Sequence, residues 1–157
     1  MVLVAALPRA FAFVAKRELQ QQALLGPPLQ RLGVEFVERF DVQKSVADAN
    51  HMAEAVQHGK SLLVFPEGTF IERPGLLPFH LGAFLAAARA GVPVVPLAIR
   101  GTREMLPAER WWPQRAALEV DIGAPIVPLV GEPDGFAVAA RLREAARRVI
   151  AATVEET

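Results

Sequence analysis

Short apolar runs alternate along this chain with stretches whose apolar residues recur at helical spacing. That alternation restricts the fold more than any other feature. FAFVAK (11–16), VEFVER (34–39), SLLVF (61–65), VPVVPLAIRG (92–101) and ALEVDIG (117–123) read as strands, the last three as buried ones. Between and after them, RELQQQALLGPPLQRLG (17–33), SVADANHMAEAVQHG (45–59), FHLGAFLAAARAG (79–91) and GFAVAARLREAARRVIAATVEE (135–156) read as helices, the first of them broken at Gly26-Pro27-Pro28. In the second, Val46, Ala49, Ala53 and Val56 share one face, with Ser45 expected as N-cap and Gly59 as the stop. Gly91 is expected to close the third helix and Asp134 to cap the last. Strands alternating with helices imply an α/β fold: a mostly parallel central sheet, with room for a mixed one, flanked by helices. The 157 residues contain no repeat and no linker-like stretch, so one domain over 1–157 is expected.

Composition excludes several classes. Lys plus Arg and Asp plus Glu number 17 each, so no overall field draws the chain to nucleic acid, and no nucleic-acid partner is expected. There is no Cys, hence no disulfide, thiol nucleophile or zinc–thiolate site. The apolar start MVLVAALPRAFAFVA is too short to span a bilayer, which takes about 20 residues, and it lacks the basic start of a signal peptide. Hydrophobic residues make up 52%, a content that also suits an enzyme docking on a membrane surface.

The familiar motifs fail. GKS (59–61) would place the first glycine of a phosphate loop at Glu54, and it joins helix to strand rather than strand to helix. Neither Ser45 nor Ser61 sits in a nucleophile elbow. His51, His58 and His80 lack a metal-ligand spacing, so no metal is expected; the first two read as solvent-facing or half-buried helix residues. What remains are two strand ends, where α/β sheets place their sites. FPEGTF (65–70) leaves one strand: either a plain turn with a solvated Glu67, or a site rim where Glu67 and the Gly68 and Thr69 amides hold a polar head group. ERFD (38–41) leaves another: Arg39 either pairs with Glu38 or Asp41 at the surface or grips an anion. Arg39 and Glu67 are expected to line one crevice.

Taken together and in order, five segments carry a resemblance. GVEFVER (33–39), FPEGT (65–69) and VPVVPLAI (92–99) resemble blocks of the PlsC-like lysophospholipid acyltransferases, and AFVAKREL (12–19) and GLLPFHLGAF (75–84) resemble the segments usually found between them, over residues 1 to about 127. The resemblance implies an acyltransferase-like fold and transfer of an acyl group from acyl-CoA or acyl-carrier protein to the free hydroxyl of a lysophospholipid such as 1-acyl-glycerol-3-phosphate. It implies no metal or prosthetic group, the thioester being a co-substrate. By position, Arg39 would bind the acceptor phosphate; Glu67, Gly68 and Thr69 would shape the acceptor site; Lys16 would support it; and 92–99 would form a core strand beside the acyl channel. Residence at the cytoplasmic face of the membrane, as a peripheral protein, is implied too. Trp111 and Trp112, set between Arg110 and Arg115, are the candidate anchor, with one indole expected buried and one exposed.

Departures from the family pattern matter as much. Its N-H-x-x-x-x-D box supplies a general base and the carboxylate that orients it. Here the fifth residue after His51 is Val56, after His58 Leu63, and after His80 Leu85. The expectation is a chain that starts downstream of the box and is inactive as it stands. The alternative is a non-catalytic module of the same fold that binds phospholipid or acyl groups. Phe70 stands where many members carry Arg, and His80 where Lys or Arg is common, which shifts phosphate binding onto Arg39.

Overall fold

The computed structural model describes residues 11–16, 35–37, 42–68, 75–105, 112, 114–129, 131–132 and 134–155. Three parallel strands form its sheet: β1 (Ala12–Lys16), β2 (Glu35–Val37) and β3 (Leu62–Leu63), in the order β2-β1-β3. The register sets Lys16 opposite Val37 and Phe13 opposite Leu63, so the three strands run out at one edge. A second, antiparallel pair joins β4 (Leu97–Arg100) to β5 (Glu119–Ile122), with a bridge between Val94 and Ile126 beyond it. The sheet structure is thus mixed: parallel at the site, antiparallel in the second pair.

The core is made of helices. From α1 (Val42–Gln57) come Ala49, Met52 and Ala53; from α2 (Gly82–Ala90), Phe84, Leu85, Ala86 and Ala87; from α4 (Gly135–Glu155), Val138, Ala139, Leu142 and Ala146. Alanines dominate these contacts, so α2 packs closely against both α1 and α4. Leu62 and Val64 seat the sheet on this cluster, and each large side chain removed from water there contributes about 1.5–3 kcal/mol. A short helix, α3 (Thr102–Met105), follows β4 where the sequence suggests only a loop.

The helix ends follow local chemistry. Gly91 closes α2 in the left-handed conformation (φ 67°), and the Val92 N–H reaches back to the Ala87 carbonyl at 3.1 Å. The same pattern at Gly59 and Lys60 ends α1. Asp134 Oδ1 accepts the Phe136 and Ala137 amides at 2.9 and 3.3 Å, the expected cap.

Four expectations need correction. Ser45 is not an N-cap, because α1 begins three residues earlier at Val42, directly after Asp41, itself a capping residue type. SLLVF is a strand only at Leu62–Leu63, with the Ser61 carbonyl accepting the Ala12 N–H at 2.9 Å before it, and Phe65 is 51% exposed where its carbonyl serves a tight turn. VPVVPLAIRG is not one buried strand: Pro93 and Pro96 cannot donate to a ladder, so it breaks into the Val94 bridge and β4. β5 is also not buried along its length, Ile122 being exposed. The helix expected over 17–33 and the apolar start, 1–8, lie outside the described residues.

Candidate functional site

The strand order changes direction between β1 and β3: β2 follows β1 on one side, and β3 lies on the other. In open parallel sheets this reversal opens a crevice at the carboxyl edge, where ligands bind. Two candidate segments stand there. Lys16 is the last residue of β1. The chain leaving β3 makes the FPEG turn at once.

That turn is built from backbone. The Gly68 N–H donates to the Phe65 carbonyl at 3.1 Å, with Pro66 and Glu67 at the two central positions. Pro66 pre-sets φ for the first of these, and Gly68 takes a left-handed φ of 74° that a side chain would strain. The chain returns alongside: the His80 N–H donates to the Pro66 carbonyl at 2.8 Å, and the Leu77 N–H donates to Glu67 Oε2 at 2.8 Å. Phe79, between these two anchors, is buried and stacks on Phe84 with ring centroids 6.4 Å apart. The half-buried Glu67 is therefore neither a solvated turn residue nor an unattached ligand; one of its oxygens is committed to the protein.

Sequence reasoning chose Glu67 and missed its partner. A backbone amide carries no side-chain signature. One signal was present: Leu77 precedes Pro78, which disfavours helix there, so its N–H has to find an acceptor outside a helix.

The other candidates are distributed as follows. Gly68 sits in the turn. Val37, two residues before Arg39, pairs with Lys16, so β2 ends level with β1 and two strand spacings, about 10 Å, from β3. Arg39, Thr69, Phe70 and Trp111 lie outside the described residues. His51 is exposed on α1 and His58 just past its end, His58 Nδ1 donating to the Glu54 carbonyl at 2.7 Å. His80 is exposed as well, though its backbone is tied to the turn. Trp112 is 71% exposed. Among the described residues no group of three or more His, Asp or Glu is placed to hold a metal ion.

A parallel β2-β1-β3 sheet under a helical layer, with a Pro-Glu-Gly turn at its order reversal, defines an α/β domain of the acyltransferase type. The chain belongs to the acyltransferase family, whose sequence profile matches residues 1–100. It is 35% identical over 101 residues to a chloroplastic 1-acyl-sn-glycerol-3-phosphate acyltransferase of Brassica napus, covering 64% of this chain and 29% of that one. It is 44% identical over 63 residues to the 1-acyl-sn-glycerol-3-phosphate acyltransferase of Escherichia coli, covering 38% and 26%. The crystal structure of the 1-acyl-sn-glycerophosphate acyltransferase PlsC from Thermotoga maritima superposes with a TM-score of 0.71 at 26% identity, over 94% of this chain and 56% of that one. The chain thus spans less than a third of these two curated relatives and a little over half of the solved structure.

Proposed function

We propose that this chain carries the acceptor side of a lysophospholipid acyltransferase. In that reaction the free hydroxyl oxygen of 1-acyl-glycerol-3-phosphate attacks the carbonyl of an acyl-CoA or acyl-carrier-protein thioester. An ester forms, the C–S bond breaks, and the thiol leaves with the hydroxyl's proton. Arg39 binds the phosphate, Lys16 supports it from the end of β1, and Glu67, Gly68 and Thr69 shape the acceptor pocket. The protein works as a single domain, needs no metal or prosthetic group, and docks peripherally on the cytoplasmic face of its membrane. The observation that supports this reading most is the FPEG turn, which closes a parallel strand at the order reversal inside the family-matched region.

A second reading, lipid binding without transfer, is favoured by one observation. No histidine among the 157 residues has an acidic residue five positions later, and a general base contributes roughly 10²–10⁴-fold to rate.

Titration with 1-oleoyl-glycerol-3-phosphate, followed by tryptophan fluorescence, tests both. Saturable binding that Arg39→Ala weakens about 10- to 100-fold is expected, as for loss of a charge-assisted contact. No saturable binding, or no effect of the substitution, overturns the proposal. The same protein incubated with oleoyl-CoA is expected to form no phosphatidate above background. Robust transfer that is lost in His80→Ala would identify a substitute base and exclude the binding-only reading.

A further inference from the structure

We infer that Glu67 is a positioning residue, which fixes the acceptor turn through the Leu77 N–H and does not contribute a negative charge to the acceptor. The inference rests on the acceptor-site reading above and specifies how that site is held. A carboxylate beside a phosphate-bearing acceptor repels it. In this structure one oxygen of the carboxylate is committed to the protein: Oε2 accepts from the Leu77 N–H at 2.8 Å, ten residues away. That bond ties residue 67 to residue 77, and the chain between them contains Gly68 and Thr69, which shape the acceptor pocket in the proposed site.

The far end of the loop is rigid. Residues 76–80 are held by the His80 N–H on the Pro66 carbonyl and by Phe79, buried and stacked on Phe84 of α2. Order passes from the helical core through Phe79 to Leu77, and from Leu77 through Glu67 to the turn. Without the carboxylate, the Pro66–His80 and Phe65–Gly68 backbone bonds remain, but the second central residue of the turn is no longer tied to Leu77. The turn, Gly68 included, is then held less tightly, and acceptor binding weakens although no contact to the acceptor was removed.

A turn-clip and a direct ligand contact differ in what a neutral isostere does. In Glu67→Gln the side-chain oxygen still accepts from Leu77, as a weaker neutral bond. In Glu67→Ala no acceptor remains, and in Glu67→Asp the shorter arm falls short of Leu77. The test uses the ¹⁵N-labelled 157-residue protein, with two readouts per variant: exchange of the Leu77 amide, and affinity for 1-oleoyl-glycerol-3-phosphate. Glu67→Ala and Glu67→Asp are expected to speed Leu77 exchange at least about tenfold and weaken binding by a similar factor, while Glu67→Gln stays within about threefold of the parent in both. Binding as weak in Glu67→Gln as in Glu67→Ala would show that the charge itself meets the ligand and would overturn the inference. So would faster Leu77 exchange in Glu67→Ala with unchanged affinity, which would make the clip purely structural. A parent protein that binds no lysophosphatidate refutes the acceptor-site reading itself, and with it any positioning role. Leu77 exchange then still shows whether the clip exists.

Discussion

At Gly101 the backbone leaves β4 with φ +81°, and a Cβ built there would lie 1.9 Å from the Ala117 carbonyl oxygen. Backbone cannot yield as a flexible side chain can, so Gly101→Ala has to displace the segment entering β5. Gly91 offers a matched control. Its φ of +67° imposes comparable left-handed strain, but its Cβ position is open. Gly91→Ala is expected to cost about 1 kcal/mol, the left-handed penalty alone. Gly101→Ala is expected to cost more than about 2 kcal/mol, because overpacking adds to the same penalty. Urea unfolding of the two variants checks the difference, and equal midpoints would mean that the segment around Ala117 gives way freely. Gly91 was legible in the sequence as a helix stop, being the first residue past a helical pattern. Gly101 was not, because its demand comes from Ala117, a contact no local pattern encodes. Glu67 is an intermediate case: Pro78 shows that the Leu77 amide needs an acceptor outside a helix, but no local pattern says that Glu67, ten residues away, supplies it.

Among the elements, those that depend on neighbours in sequence were legible and those that depend on distant pairing were not. The ends of α2 and α4 follow from Gly91 and Asp134, whose hydrogen bonds are local. β3 shrinks to two paired residues, although β1 runs on to Lys16, because the chain leaves the sheet for the turn that begins at Phe65, and the β4–β5 pair stands apart from the parallel sheet, two prolines interrupting the run leading into it. The order reversal that locates the candidate site is a property of the β2-β1-β3 arrangement, which strand patterns alone do not order. The β4–β5 pair adds one device of its own. Arg100 reaches Glu119 at 2.7 Å and Asp121 at 3.0 Å, placing one positive charge between two carboxylates that alternate onto one face of β5. Its side chain is 29% exposed and its partners more so, so screening by solvent keeps the gain modest. Arg100→Ala is expected to destabilise by about 1 kcal/mol at low salt, and by clearly less in 1 M NaCl, where the Debye length falls to about 3 Å. Denaturation at both salt concentrations decides. An equal loss in both would assign the effect to packing of the arginine stem rather than to charge.

For the molecule as a whole, the question is how a protein whose proposed acceptor is a lipid meets the bilayer. Among the described residues no helix is long and apolar enough to cross a membrane, so surface docking is the arrangement to test. Trp112 is the candidate anchor. It is 71% exposed, and exposed Arg115 follows three residues later, the pairing of an amphipathic ring with a cation that suits the headgroup layer. Two residues past the indole, the Gln114 N–H donates to the Met105 carbonyl at 2.7 Å, which ties the chain at that point to the end of α3. The expectation of one buried and one exposed indole is met on the exposed side at Trp112, while Trp111 falls outside the described residues. Withdrawing a large aromatic from water is worth about 1.5–3 kcal/mol when complete, so partial insertion of one indole corresponds to roughly tenfold in partitioning. Trp112→Ala is therefore expected to reduce co-sedimentation with liposomes containing anionic lipid about tenfold. Phe136, half exposed at the start of α4, controls for general stickiness, and Phe136→Ala is expected to change little. If both variants bind as the parent does, the loop is not the docking surface. If both weaken equally, adsorption is spread over exposed apolar groups and Trp112 has no special part in it.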